Sequence, residues 1–281
     1  MPLKPDDIFV VSYPRSGTTW TQELVWLLAN SLDYTKAAAI PLSERYTFLE
    51  FSMFMNDSLR EKLLKKNSGN EEMIKHIDTL STPGSELVAR TPSPRFIKTH
   101  LPISLLPPTL LDSTKVVYVA RDPRDVAISY FHHTRMFKAN PFSGDFKTFW
   151  NLFIRGMLRW TPFLEHVKEA WQMRNHPNML FLFYEELSKD LSATIRKVAE
   201  FLGKQYSDEQ IEDLCTHLKF DNFKNNTSVN MDLVVFTENK SFIREGKSGG
   251  WSEYFDENMT REAEQWISDN LRDTDLRFPS I

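Results

Sequence analysis

IFVVSYPRSGTTWTQELVWLL (Ile8–Leu28) changes its periodicity part-way along. Ile8 to Val11 is an unbroken apolar run of strand length, Ser12, Tyr13 and Pro14 interrupt it, and Trp20, Leu24, Leu27 and Leu28 then recur at helical spacing. A strand, a turn and a helix follow in that order, and the turn carries Arg15, Ser16, Gly17, Thr18 and Thr19. Backbone N–H groups at such a helix start, the three hydroxyls and the Arg15 cation together form a phosphate cradle, and Gly17 allows close backbone approach. The loop is not a Walker A motif, because the G-x-x-x-x-G-K-[ST] spacing is absent. An ordinary strand-to-helix turn with a threonine cap is the plain alternative.

Outward from this unit, Arg95 to Thr99, Lys115 to Ala120 and Met179 to Tyr184 read as buried strands. A helix bearing Leu191, Ile195, Val198 and Leu202 on one side follows the last of them and stops at Gly203. Asp122 and Pro123 have the form of an N-cap and a first-turn proline, opening a helix through Val126, Ala127 and Tyr130. Strands alternating with helices predict an α/β fold with a central, mostly parallel sheet flanked by helices. Polar stretches at 56–86 and 221–250 read as insertions or lids, and residues 1–281 are expected to form a single domain.

Composition supports this and narrows the function. The 281 residues are 41% hydrophobic with 21 Phe, enough for a large core, which excludes intrinsic disorder and disulfide-stapled miniproteins. A net charge of −4 gives no general cationic field for nucleic acid or acidic membrane, so any phosphate binding is local. One cysteine, Cys215, cannot form an intramolecular disulfide or a zinc cluster, and it shares a helical face with Ile211, Leu214 and Leu218 as a buried apolar thiol. No signal peptide and no apolar run of about 18 residues is evident, so a cytoplasmic location is expected.

Three further segments place chemistry at strand ends, where ligands bind in open parallel sheets. Lys98 and His100 end one predicted strand and bring a cation and a titratable base to the rim. Arg121 and Ser129 flank the start of a helix as an anion clamp. Arg244, Glu245 and Gly246, with Gly249, Gly250 and Trp251, lie in a polar loop able to close over a ligand.

YPRSGTTW (Tyr13–Trp20) resembles the YPKSGTTW signature of the cytosolic sulfotransferases. PSPRFIKTHLP (Pro92–Pro102) resembles their SPRxxKTHLP segment, and VARDPRDVAIS (Val119–Ser129) their VARNPKDVAVS segment. FLFYEE (Phe181–Glu186) matches another family block, and 242–278 fits the RKGxxGDW region and tail. The resemblance implies transfer of a sulfuryl group from 3'-phosphoadenosine 5'-phosphosulfate (PAPS) to a hydroxyl or amine of a small lipophilic acceptor such as a phenol, without a metal. By position, Arg15 to Thr19 would hold the 5'-phosphosulfate, and Arg121, Ser129 and Arg244 the 3'-phosphate. Trp20, Tyr184 and Phe220 would hold the adenine. His100 would be the general base, with Lys98 and Arg15 stabilising charge on the sulfuryl oxygens and leaving phosphate.

Some positions depart from the pattern. Arg15 replaces a lysine, Glu245 replaces the lysine of RKG beside the expected 3'-phosphate, and Leu218-Lys219 replaces Thr-Ser before Phe220. Aligned from Trp251, the segment many members use to dimerise offers Ser252, Asp256, Glu257 and Arg261 in place of Lys, Thr, Val and Glu. Like charges would face each other across a two-fold axis, which predicts a monomer or a dimer through another surface. Phe48, Phe51, Phe54, Phe137 and Phe142 are candidates for an apolar acceptor pocket. Two other readings compete: a non-catalytic nucleotide-binding regulatory member of the fold, motivated by Arg15 and Glu245, and a nucleotide-dependent kinase.

Overall fold

The computed structural model describes residues 1–136, 141–229, 246 and 248–280. Five strands, β1 (Ile8–Val11), β2 (Thr47–Phe48), β3 (Phe96–Thr99), β4 (Lys115–Ala120) and β5 (Met179–Phe183), form one sheet in the order β2-β3-β1-β4-β5. Every pairing is parallel. The strands predicted at 8–11 and 115–120 appear with those bounds. The one expected at 95–99 begins at Phe96, and the one expected to reach Tyr184 ends at Phe183, because Tyr184 already opens a helix.

The described helices that position the site are α1 (Thr18–Ala29), α2 (Asp57–Lys66), α3 (Glu71–Ser81), α4 (Gly84–Arg90), α5 (Pro123–Thr134), α6 (Phe146–Ile154) and α7 (Phe163–Gln172). They continue with α8 (Tyr184–Lys189), α9 (Leu191–Phe201), α10 (Asp208–Leu218), α11 (Phe220–Asn225) and α12 (Glu257–Asn270). Side-chain alternation along the strands splits the core into two layers. Phe9, Val11, Tyr118, Phe181 and Phe183 pack with α5, α6, α7 and α12. Val10, Val117, Val119, Leu180 and Leu182 pack with α1, α9 and α10. Burial on both faces is why the strands read as continuous apolar runs rather than alternating ones. Cys215 is half-buried against the second layer, and burial raises its thiol pKa.

The polar stretch predicted as an insertion folds as α2, α3 and α4. Asn56 caps α2 by accepting from Leu59 N at 2.9 Å, and Asn70 caps α3 by accepting from Met73 N at 3.1 Å. Phe51, Met55, Leu63, Ile77 and Met136 form a separate small core beneath these helices. Of the second stretch, 221–250, the structure describes α11 and a few flanking residues, while Arg244, Glu245 and Phe137 lie outside the described residues. Among the described residues no helix is long and apolar enough to cross a membrane.

The entry to the sheet is held by a buried ion pair. Asp7, just before β1, accepts from Arg95 Nε at 2.6 Å and Nη2 at 2.5 Å, just before β3. Arg95 also donates to the Val88 and Pro2 carbonyls. Removing one partner strands a charge in a dry interior, so Asp7→Ala is expected to cost roughly 3–5 kcal/mol. The apolar pair Asp7→Leu with Arg95→Met should recover much of that loss, a comparison that urea denaturation can read.

Candidate active site

Parallel register carries the predicted site residues to one rim. Val11 pairs with Thr99 on one side and Tyr118 on the other, so the loop after β1, the end of β3 and the start of α5 leave the sheet at nearly one level. The loop is tightly wound. Arg15 takes φ +70° and Gly17 φ +101°, both left-handed conformations, and Ser16 N donates back to the Tyr13 carbonyl at 3.3 Å. Gly17 is the N-cap of α1, and no side chain caps that end. A methyl on Gly17 would lie 2.6 Å from the Tyr184 ring, so the chain presses directly on this aromatic wall.

Within the loop, Thr18 Oγ1 shares a hydrogen bond with Ser12 Oγ at 2.6 Å. Ser16 Oγ is buried without a hydrogen-bond partner among the described residues. A buried hydroxyl without a partner beside an uncapped helix start suits an anionic oxygen, and Gly17 rather than a threonine stands at the N-cap. Thr19 stands half-buried in the first turn of α1. Arg15 Nε donates to Ser129 Oγ at 3.1 Å, joining two residues that the sequence assigned to opposite ends of the nucleotide. Arg121 Nη1 lies 3.4 Å from the Arg15 carbonyl, and its guanidinium covers the Tyr184 ring at 4.3 Å. Trp20 meets Tyr184 edge-on at 5.6 Å and donates Nε1–H to the Leu218 carbonyl at 3.0 Å. Gly246 abuts Phe220 so closely that a methyl there would come within 2.0 Å of the ring.

At the end of β3, His100 Nδ1 is 2.8 Å from the Ser12 carbonyl oxygen. That oxygen can only accept, so Nδ1 carries the hydrogen and Nε2 presents a lone pair. His166 holds the other side, with Nε2 donating to the His100 carbonyl at 3.0 Å and Nδ1 accepting from the Tyr118 hydroxyl at 2.7 Å. Burial, then the nearby Lys98 cation, push the His100 pKa well below its usual value. That shift favours the neutral imidazole.

Lys98 is buried, and its ammonium lies 4.2 Å from the centre of the Phe48 ring. Burial lowers its pKa to about 8; Glu50 opposes that shift and Arg15 adds to it. Glu50 is the carboxylate of the constellation, accepting from His100 N–H at 2.6 Å and from Thr99 Oγ1 at 2.8 Å. Its own pKa is raised by burial, against the pull of those two donors and Lys98. His133, one helical turn beyond Ser129, is also kept neutral, by burial first and then by the Arg15 and Lys98 cations. Sequence reasoning missed Glu50, His133 and His166.

A cavity of about 450 Å³ is lined by Phe54, Tyr130, Phe142, Phe149, Arg159 and Trp160 among others. Trp160 stands edge-on to the His100 ring at 5.5 Å. Of the predicted pocket phenylalanines, Phe54 and Phe142 line this space. Phe48 touches the His100 ring at 5.3 Å, and with Phe51 it faces a second cavity of about 710 Å³ between α3 and the core.

Residues 5–275 match the sulfotransferase domain family. The chain belongs to that family. Luciferin sulfotransferase of Photinus pyralis is 35% identical over 280 residues, covering 96% of this chain and 72% of that protein. Sulfotransferase 1A1 of Bos taurus is 33% identical over 279 residues, covering 98% and 86%. Retinol dehydratase, solved in complex with androsterone and inactive cofactor PAP, superposes with a TM-score of 0.93 at 49% identity, covering all of this chain and 85% of that one. A second structure, of retinol dehydratase with retinol and PAP, gives 0.92 at 50% identity. This sulfotransferase is therefore an enzyme of sulfuryl transfer, and the kinase reading gives way.

The electrostatics of the rim predict a pH profile. Lys98 is charged below its pKa and loses its charge as pH rises through about 8, so activity that needs the cation falls on the alkaline side. Glu50→Gln removes the charge that props up this pKa, and the alkaline limb of turnover should move down by roughly one pH unit. An unmoved limb would detach Lys98 from the reaction.

Proposed function

We propose that His100 is the general base with which this sulfotransferase moves a sulfuryl group from PAPS to the hydroxyl of a lipophilic acceptor. The observation that carries the reading is the fixed tautomer of His100. Its Nδ1–H is committed to Ser12, its Nε2 is free to take a proton, and the Trp160 ring that stands edge-on to it is a wall of the 450 Å³ cavity. A hydroxyl is a weak nucleophile until its proton finds an acceptor, and a neutral imidazole at neutral pH is one.

When bound, PAPS would supply an activated sulfuryl group whose leaving group is already an anionic phosphate. Ser16 and the N–H groups of the β1–α1 loop would hold its 5' end. Trp20, Tyr184 and Phe220 would flank the adenine, and Arg121 and Ser129 the 3'-phosphate. Arg15 and Lys98 would stabilise the charge that builds on the sulfuryl and bridging oxygens. A guanidinium serves there as well as an ammonium, since its task is electrostatic and needs no proton transfer.

The acceptor class follows from the cavity and the relatives. About 450 Å³ walled by aromatic side chains together with Asn56, Thr134, Ser143 and Arg159 suits a lipophilic molecule of steroid or isoprenoid-alcohol size that carries a polar group. The relatives are named for luciferin and retinol, and one retinol dehydratase complex holds androsterone. One domain working in the cytoplasm, as a monomer or as a dimer through a surface other than the usual family segment, completes the reading. Asp256 is the N-cap of α12, its carboxylate accepting from Met259 N at 2.8 Å.

His100→Ala should cut turnover on a phenol or steroid alcohol by roughly 10²- to 10⁴-fold while leaving the thermal shift produced by 3'-phosphoadenosine 5'-phosphate (PAP) nearly unchanged. Retained turnover would make His100 structural. Product mass spectrometry with PAPS and a panel of phenols, steroids and long-chain allylic alcohols would identify the acceptor.

A further inference from the structure

A carboxylate stands where an anion site should least tolerate one. Asp125 is buried in the first turn of α5, and its Oδ2 lies 3.7 Å from Arg121 Nη2. Arg121 is the cation that the reading above gives to the 3'-phosphate. By Coulomb's law a fixed negative charge at this distance weakens the attraction of Arg121 for a second anion. Yet Asp125 spends its oxygens elsewhere. Oδ2 accepts from Gly249 N at 2.7 Å and Oδ1 from Trp251 N at 3.1 Å. Beside it, Arg124 lies over the Trp251 ring at 3.8 Å and is itself held by Asp122 at 2.6 Å. The segment from Gly249 to Trp251 is thus fastened to α5 at three points, two of them on one carboxylate.

We propose that Asp125 is the positioning residue of the 3'-phosphate subsite, aligning Arg121 and tying the 249–251 segment to the helix that bears Ser129, without touching the nucleotide itself. The inference rests on the assignment of Arg121 to the 3'-phosphate. Arg121 is held on three sides, by Asp125, by the Arg15 carbonyl and by the Tyr184 ring. A guanidinium already oriented loses little freedom when an anion arrives, which is how preorganisation raises affinity. Burial pushes the Asp125 carboxyl upward in pKa, and Arg121 and the Gly249 N–H pull it back toward the ionised form.

Calorimetric binding of PAP and of adenosine 5'-phosphate to the full chain separates this role from a merely structural one. Asp125→Ala should weaken PAP roughly 10- to 100-fold, the loss of hydrogen bonds to a charged acceptor. It should leave adenosine 5'-phosphate within about twofold. Asp125→Asn keeps an acceptor oxygen but not the charge, and should fall between wild type and alanine; it carries the test if the alanine variant does not fold. In steady state, KM for PAPS should rise while KM for the acceptor holds. Unchanged or tighter PAP binding would overturn the proposal, as would equal weakening of both nucleotides. Arg121→Gln is the control: if it leaves the preference for PAP intact, the 3'-phosphate assignment fails, and if it abolishes that preference while the Asp125 variants keep it, only the positioning role fails.

Discussion

The parallel register of β1 between β3 and β4 is the constraint on which the site depends. Because Val11 sits level with Thr99 and Tyr118, β1 and β3 end together and β4 ends two residues further on, at the same rim. The hydrogen bond from His100 to the Ser12 carbonyl then becomes possible across the rim. A one-residue slip would turn Lys98 from one face of the sheet to the other and break the base from its anchor at once. Sheet hydrogen bonding and site geometry are here the same set of contacts.

A second theme is how the fold tolerates so much charge out of water. Arg15, Lys98 and Arg121 converge near the rim, and each acidic group around them is bonded to backbone N–H. Glu50 takes the His100 amide, Asp125 those of Gly249 and Trp251, and Glu185 that of Asp122 at 2.9 Å. Burial lifts Glu185 to about 7, so this carboxyl is poised near neutrality. The acids do two things together: they lower the mutual repulsion of the cations and they fix the loops that carry them. Carboxylates placed this way orient cations more than they neutralise them, since part of their hydrogen-bonding capacity is spent on the backbone.

The turn between β1 and α1, the ends of β3 and β4 and the cap of α5 were legible in the sequence because each is written locally. Pro14 and Gly17 mark the turn, hydroxyls fill it, and Asp122-Pro123 announces the helix. Glu50, Asp125, His133 and His166 were not read as site residues. Glu50 follows a strand of two residues, too short to leave a period, and its partners Thr99 and His100 are remote in sequence. His166 lies on α7, where a histidine among Phe163, Leu164 and Val167 looks like core until Tyr118 and the His100 carbonyl are seen beside it. The pocket was half legible: phenylalanines were plentiful, but only folding separates Phe54 and Phe142, which line the 450 Å³ cavity, from Phe48 and Phe51, which face the other one.

The order β2-β3-β1-β4-β5 also bears on how the protein is made. The centre of the sheet is β1, whose Phe9, Val10 and Val11 are fully buried. It leaves the ribosome well before either neighbour, β3 at Phe96–Thr99 or β4 at Lys115–Ala120. At roughly 5–20 residues per second, the interval between Val11 and Ala120 lasts on the order of 5 to 20 seconds. Until β3 is made this apolar strand has no strand of its own chain to pair with, and until β4 is made one of its two edges stays open, although α1 follows it immediately and can cover one face. Vulnerability to aggregation in this protein is therefore set by the pace of translation and the supply of chaperones, during a window that closes only when β4 arrives.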